Sequence, residues 1–410
     1  MNCKLILYSA VPGIWEINLG KKRVLFVGES FSLAHIARPL YLAESLDPNE
    51  YDIHFACDQR YQSIIEHNPF HFWNMDSISG DEFLDAQRKG GFVPDEKDIE
   101  SNVEKELLLI RELEPSIIIN DLRFSMTISA EITNTRLATL ANAHWSPYRD
   151  LGFDPYPPPN DKVNAKMVTE TNKKRPSATN SFNRIREKYS IPPLRDYCDL
   201  ATRGDFTLYT EPRGFISTKN LPRNHFFIGP ILWEPKVKLP PWWNSWNQNL
   251  PIIYITLGST GAAEYLQEII KSIQELPVII ITATADRFNF GNIPGNIYLA
   301  DYLPGIEASK LASVVICNGG SATAYQALSQ GTPLIGIWSN LDQYLTMMNI
   351  ERKGIGIGAN ANRIELEKLK SLVSTLIIDN HYKEKALGVK KLFNQYNSKL
   401  LFNKFLKETL

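Results

Sequence analysis

The sequence predicts an α/β protein of two Rossmann-like, doubly wound domains facing across a cleft, and three observations carry that expectation. Short, nearly continuous apolar runs alternate with amphipathic stretches, as parallel strands buried on both faces alternate with covering helices. That rhythm runs twice, interrupted by a segment rich in proline and tryptophan. At 410 residues the chain is also long for a single core. The expected division is an N-terminal extension over 1–20, a first domain over 21–230, a connector over 231–249, a second domain over 250–385 and a C-terminal helix over 386–410 that packs back on the first domain.

In the first half, Arg23 to Gly28 reads as the opening strand, Ala34 to Leu46 as a helix with a strong apolar face, and Tyr51 to Cys57 as the next strand. A less regular stretch follows, then a helix over Glu100 to Leu113 and a short strand over Ser116 to Asn120 that stops just before Asp121. Ser125 to Thr133 reads as a helix and Leu137 to Asn142 as a strand. From Ser146 to Pro159 prolines break regular structure, so a surface loop is expected. The polar stretch from Asn160 to Ser190 reads as partly helical, a candidate pocket wall. Asp205 to Tyr209 and His225 to Gly229 close this half as short strands.

The connector carries four tryptophans among its prolines, which make it stiff and extended. Packing of those rings against a domain face is the expectation, with a binding platform as the alternative. The rhythm then restarts at Pro251 to Leu257, Leu266 to Leu276, Val278 to Ala283 and Ile297 to Ala300. Its sharpest part is Val314 to Asn349. A strand ends at Cys317, Asn318-Gly319-Gly320-Ser321 forms a turn, a helix runs from Ala322 to Ser329, and a second strand covers Leu334 to Trp338. Two glycines and hydroxyls at a helix start suit an anion, because bare N–H groups and the positive end of the dipole converge there. The same turn alone also serves as an ordinary helix cap. One strand further on, Ser339-Asn340-Leu341-Asp342-Gln343 supplies side chains able to bind sugar hydroxyls.

Composition excludes several classes. A net charge of -1 argues against an electrostatic nucleic-acid binder. No stretch approaches the roughly 18 to 20 continuous apolar residues of a membrane span. The four cysteines are scattered without ligand spacing, as reduced thiols in a cytoplasmic protein would be. The N-terminus is weakly signal-like, but Pro12 and Glu16 count against secretion. No G-x-S-x-G elbow, P-loop, H-E-x-x-H or Asp-x-Asp pair occurs, so neither a metal nor a bound cofactor is expected.

Among seven histidines, His54, His67, His71, His225 and His381 lie in strand, polar or loop contexts without a partner signal and read as structural or solvated. His35 differs, because it starts the first helix at the carboxyl edge of the sheet, where a doubly wound fold binds its ligand. Asp121 follows another strand at that edge. A carboxylate on one imidazole nitrogen fixes the tautomer and raises the basicity of the other, which makes a general base. A turn or helix-cap role for Asp121 is the alternative.

Taken together, these pieces resemble the GT-B nucleotide-sugar-dependent glycosyltransferases of family 1, the macrolide and UDP-glucuronosyl transferase-like group, from Arg23 to about Leu400. That family follows a strand with H-G-G-x-G-T, then E/Q-A-L-x-x-G-x-P, then D-Q. Here Asn318 to Thr323, Gln326 to Pro333 and Asp342-Gln343 match in order. The resemblance implies that Asn318, Gly319, Gly320, Ser321 and Thr323 hold the donor diphosphate. It implies that Asp342 and Gln343 bind donor-sugar hydroxyls, that Gly258, Ser259 and Thr260 also contact phosphate, and that Tyr302 lies in the nucleobase-binding segment. In SLAHIARPLYLAESL it makes His35 the base and Asp121 its support, and it places His144 and Trp145 in the acceptor pocket.

The implied reaction is inverting transfer from a UDP- or dTDP-sugar, as co-substrate, to a hydroxyl of a small lipophilic acceptor. Oligomeric state is left open. Asn318 stands where the motif has histidine, and can hydrogen-bond phosphate but carries no charge. Ala322 stands where it has glycine, crowding the phosphate slightly. Two rival readings share the fold: a UDP-sugar 2-epimerase-like enzyme and a non-catalytic partner or activator protein.

Overall fold

The computed structural model describes residues 20–88, 94–150, 179–258, 265–284, 294–361 and 366–410. The expectations for the extension at 1–19, for the loop and partial helix between 151 and 178, and for Ser259 and Thr260 lie outside the described residues.

Two all-parallel sheets are present. The first holds β1 (Lys22–Gly28), β2 (Tyr51–Cys57), β3 (His71–Asn74), β4 (Ile117–Asp121), β5 (Leu137–Ala141), β6 (Phe206–Tyr209) and β7 (His225–Phe227), in the order β3-β2-β1-β4-β5-β6-β7. The second holds β8 (Ile252–Thr256), β9 (Ile279–Ala283), β10 (Ile297–Ala300), β11 (Val314–Cys317), β12 (Leu334–Trp338) and β13 (Gly356–Asn360), in the order β10-β9-β8-β11-β12-β13. The direction of winding reverses between β1 and β4 in one sheet and between β8 and β11 in the other. A doubly wound sheet opens a crevice beyond its strand ends at such a point. Gly28 and Asp121 mark the first crevice, and the turn after Cys317 marks the second.

The central strands are buried on both faces, which is why they read as continuous apolar runs: all residues of β4, β5, β11 and β12 are buried. The strand β3 and the helix Gly80–Arg88 fall in the stretch that looked irregular. β3 is a four-residue edge strand carrying polar His71 and Asn74, too short and too polar to show a period. The helix Glu96–Leu113 begins earlier than expected, because the Asp95 carboxylate accepts from Asp98 N at 2.9 Å and caps it.

The C-terminal tail is two helices, Asn380–Phe393 and Ser398–Thr409. Phe402, Phe405 and Leu406 enter the first sheet's core beside Phe26 and Leu40. In the connector, Trp242, Trp243 and Trp246 pack on one another, Trp242 and Trp246 also meet Tyr298, and Trp242 Nε1 donates to the Leu299 carbonyl at 2.9 Å. These three rings cover the β10 edge of the second sheet.

His54 and His71 have partners that the sequence did not signal. Opposite each other in register, both imidazoles lie 3.2 Å from the Asp52 carboxylate. The group has ligand types a cation would accept, but Trp73 Nε1 donates to His54 Nδ1 at 3.0 Å. The neutral ring therefore carries its proton on Nε2, facing Asp52, and keeps no lone pair for a metal.

Candidate active site

Both crevices open into one cavity of about 510 Å³, lined from the first half by Phe31, His35, Arg38 and Trp145 and from the second by Asn318, Ser321 and Asp342.

On the first side, β1 ends at Gly28, where a Cβ would collide with the His35 carbonyl, so the helix Leu33–Ala43 can start hard against the strand end. That close start sets His35 over Asp121, the last residue of β4, with Nδ1 at 2.9 Å from Oδ1. Asp121 is fully buried. One helical turn after His35, Arg38 grips the same carboxylate, Nε to Oδ2 at 2.7 Å and Nη2 to Oδ1 at 2.5 Å. Burial pushes the Asp121 carboxyl up, but the Arg38 guanidinium and the His35 ring outweigh it and hold it below the usual carboxylate range. An ionised Asp121 can only accept, so Nδ1 carries a proton toward it, and in the neutral tautomer the lone pair is on Nε2. The His35 ring lines the cavity.

On the second side, Gly319 has φ 76°, and a Cβ there would also meet Met347 Cγ at 2.7 Å. Glycine satisfies both constraints and lets the chain turn from β11 into the helix Ser321–Ser329. Asn318 Oδ1 accepts from Gly320 N at 3.1 Å, closing the turn. The helix ladder begins with Ala324 N to the Gly320 carbonyl, so the N–H groups of Ser321, Ala322 and Thr323 remain at its open end, beside the cavity. Gly258 (φ 61°) approaches Asn318 from the end of the β8 segment, and half-exposed Tyr302 lines the rim.

The polar strand end becomes a helix start. Asn340 caps the helix Leu341–Arg352 by accepting from Gln343 N at 3.1 Å, and Gln343 Oε1 accepts from Ser339 N at 2.8 Å. Asp342 Oδ1 accepts from His144 Nε2 and from Trp145 Nε1, both at 2.8 Å. Burial raises the Asp342 carboxyl, but these donors overcome it and hold the group far below the usual range. His144 therefore departs from its expected place: Trp145 lines the cavity, while His144 is buried behind it and bonded to Asp342.

Arg38, Glu211 and Tyr325 carry no role in the sequence reading, whereas Asn142 opens the stretch Asn142 to Tyr148 that the resemblance places along the acceptor pocket. Asn142 Oδ1 accepts from Arg38 Nη1 at 3.0 Å and from Ser321 Oγ at 3.3 Å, joining the His35 side to the glycine turn after β11. Its Nδ2 donates to the fully buried Glu211 at 2.9 Å, which also accepts from Ala143 N–H and, at 3.5 Å, from the Tyr325 hydroxyl. Burial pushes the Glu211 carboxyl up. A single cue was readable for Arg38, a charge on the apolar face of LAHIARPLYLA.

Two parallel sheets whose switch points face each other over such a cavity make up a GT-B fold, and comparison with known proteins supplies the family. The family of the erythromycin biosynthesis protein CIII-like C-terminal domain matches residues 266–395. A PGL/p-HBAD biosynthesis rhamnosyltransferase of Mycobacterium bovis (strain BCG / Pasteur 1173P2) is 36% identical over 398 residues, covering 94% of this chain and 87% of that protein. Among solved structures, the glycotransferase of kitacinnamycin superposes with a TM-score of 0.69 at 16% identity, covering 95% of this chain and 99% of the other. Spinosyn rhamnosyltransferase SpnG gives 0.68 at 15%, covering 94% and 100%, and has also been solved complexed with thymidine diphosphate. The chain belongs to this family of GT-B glycosyltransferases and is an enzyme. Among the described residues, no helix is long and apolar enough to cross a membrane.

Proposed function

We propose that this enzyme transfers a sugar, of the rhamnose type, from a dTDP- or UDP-sugar to a hydroxyl of a lipophilic acceptor, with inversion and without a metal. One observation carries the reading. His35, oriented through Nδ1 by Asp121 at 2.9 Å, lines the same cavity as the open N-terminus of the helix Ser321–Ser329. A base on one wall and an anion site on the other define a single in-line displacement. The acceptor hydroxyl gives its proton to His35 Nε2, and its oxygen bonds to the anomeric carbon. The bond to the diphosphate oxygen breaks as its electron pair leaves with the nucleoside diphosphate. The N–H groups of Ser321, Ala322 and Thr323 and the Thr323 hydroxyl take up that charge.

The donor class is supported by the rhamnosyltransferase named among the relatives and by the thymidine diphosphate complex of SpnG. Phe31, Phe83, Leu122, Trp145 and Tyr197 give the acceptor side an apolar wall, with Phe31 stacked on Phe83 at 3.9 Å. Acceptors of PGL/p-HBAD biosynthesis, the process named for the Mycobacterium relative, are the first to test.

The experiment measures transfer from dTDP-rhamnose to such acceptors by wild type and His35→Ala, with and without EDTA, and reads the anomeric configuration of the product by NMR. Loss of at least roughly 10²-fold on His35→Ala, no effect of EDTA and an inverted product are expected. Equal rates for the two proteins overturn the base assignment. Donor turnover that needs no acceptor favours the epimerase-like reading, and a chain that binds no nucleotide sugar favours a non-catalytic partner.

A further inference from the structure

The loop after β5 belongs to the first half of the chain, yet two of its side chains end on the second. His144 and Trp145 reach Asp342 across 198 and 197 residues of sequence and place both of their N–H groups on one oxygen, Oδ1. An indole N–H has no lone pair to offer, and an imidazole facing a carboxylate must present N–H, so both groups act purely as donors. Oδ2 makes no hydrogen bond among the described residues, and the Asp342 side chain stays 44% exposed on the cavity wall.

The donors are themselves braced. Trp145 stands edge-on to His144 at 5.4 Å and to Tyr197 at 5.0 Å, and Arg149 Nη1 bonds the His144 carbonyl at 2.7 Å. A carboxylate anchored by two N–H groups on one oxygen presents the other in a fixed direction, the arrangement that lets an acceptor select among hydroxyl positions. The anion turn after β11 lies on a different loop, so this anchor bears on the sugar and not on the diphosphate.

We propose that His144 and Trp145 are positioning residues for the donor sugar: they hold Asp342 so that Oδ2 meets a sugar hydroxyl, which makes the grip on the sugar depend on contact between the two halves of the chain. The inference rests on the reading of Asp342 as a donor-sugar ligand. It assigns His144 to donor recognition in place of acceptor recognition, while Trp145 serves both subsites.

Calorimetric titration with dTDP and with dTDP-rhamnose of wild type, His144→Met, His144→Gln, Trp145→Phe and Asp342→Asn tests it. His144→Met and Trp145→Phe are each expected to weaken dTDP-rhamnose about tenfold, the loss of one hydrogen bond to a charged group, while dTDP changes by less than about twofold. His144→Gln keeps an N–H able to reach the same oxygen and recovers most of the loss. Asp342→Asn shows the same selectivity for the sugar. If Asp342→Asn is selective and the other two are not, the positioning role is overturned while the donor reading stands. If Asp342→Asn leaves the ratio of the two affinities unchanged, the donor-sugar reading of Asp342 falls first. Equal weakening of both ligands by His144→Met and Trp145→Phe marks a merely structural role and overturns the proposal. Failure of the wild type to bind either ligand removes the donor reading, and this inference with it.

Discussion

Arg38 holds both oxygens of Asp121, at 2.7 and 2.5 Å, and the carboxylate so held is the one that orients His35 at 2.9 Å. The pair is buried, so the Asp121 carboxylate depends on the Arg38 guanidinium to stay ionised against burial. Arg38→Met leaves the Asp121 carboxylate without its cation, and a loss of about 3–5 kcal/mol is expected for a broken buried pair. Denaturant unfolding of Arg38→Met and Arg38→Lys measures it, with the lysine variant intermediate because it keeps the charge and loses the fork. Comparable unfolding midpoints for all three proteins would show that Asp121 is satisfied by other groups.

Asp121 also sets an acid limit. Its folded pKa is lowered, so the stability it contributes is complete above the unfolded carboxylate value of about 4 and is lost as pH falls through the lower folded value. Because Asp342 shifts in the same direction, unfolding free energy should hold down to about pH 4 from these two groups and drop below it. A pH series on Asp121→Asn, which lacks one of them, should fall less steeply there.

His225 works over a higher window. Burial pushes its ring down to about 4, and Tyr209 shares a hydrogen bond with Nδ1 at 2.8 Å. The unfolded ring takes up a proton before the folded one does. Stability from this group is therefore full above about pH 6.5 and declines toward pH 4. His225→Gln removes the titration, so its unfolding midpoint should change less between pH 7 and 5 than that of the wild type.

In the proposed anion site, Asn318 is the position without a charge. Asn318→His would place a titratable cation beside the open helix end. Affinity for dTDP should rise several-fold, to about tenfold, at pH 6 and less at pH 8, since one charge-assisted hydrogen bond is gained as the ring protonates. Calorimetry at the two pH values reads the difference, and a pH-independent result would place the diphosphate away from this residue.

Phe402 tests how far the last helix supports the first half. Its ring is fully buried and stands 6.0 Å from Phe26. Phe402→Ala should cost about 3–5 kcal/mol in unfolding free energy. Little loss would mean that the helix Ser398–Thr409 can come away without opening the core.

Much of the architecture was legible because it is local. Buried parallel strands such as β2 and β12 declare themselves as apolar runs, and the Gly319-Gly320 turn before a helix follows from backbone sterics and unpaired N–H groups within a few residues. His35 and Asp121 were found because strand ends in a doubly wound sheet gather at one edge. β3 was missed for the complementary reason: an edge strand of four residues has no pattern of its own and is defined by its neighbour β2.

By itself, then, the sequence determined two doubly wound halves, a glycine turn at a helix start and a histidine and an aspartate at one sheet edge. Tertiary structure alone decided how these are held. Arg38 closes on Asp121 across 83 residues, Asn142 bonds Arg38 across 104 and Ser321 across 179, and His144 reaches Asp342 across 198. Each of these bonds depends on where a side chain ends after two sheets have packed, and strand and helix periodicity carries no record of that distance.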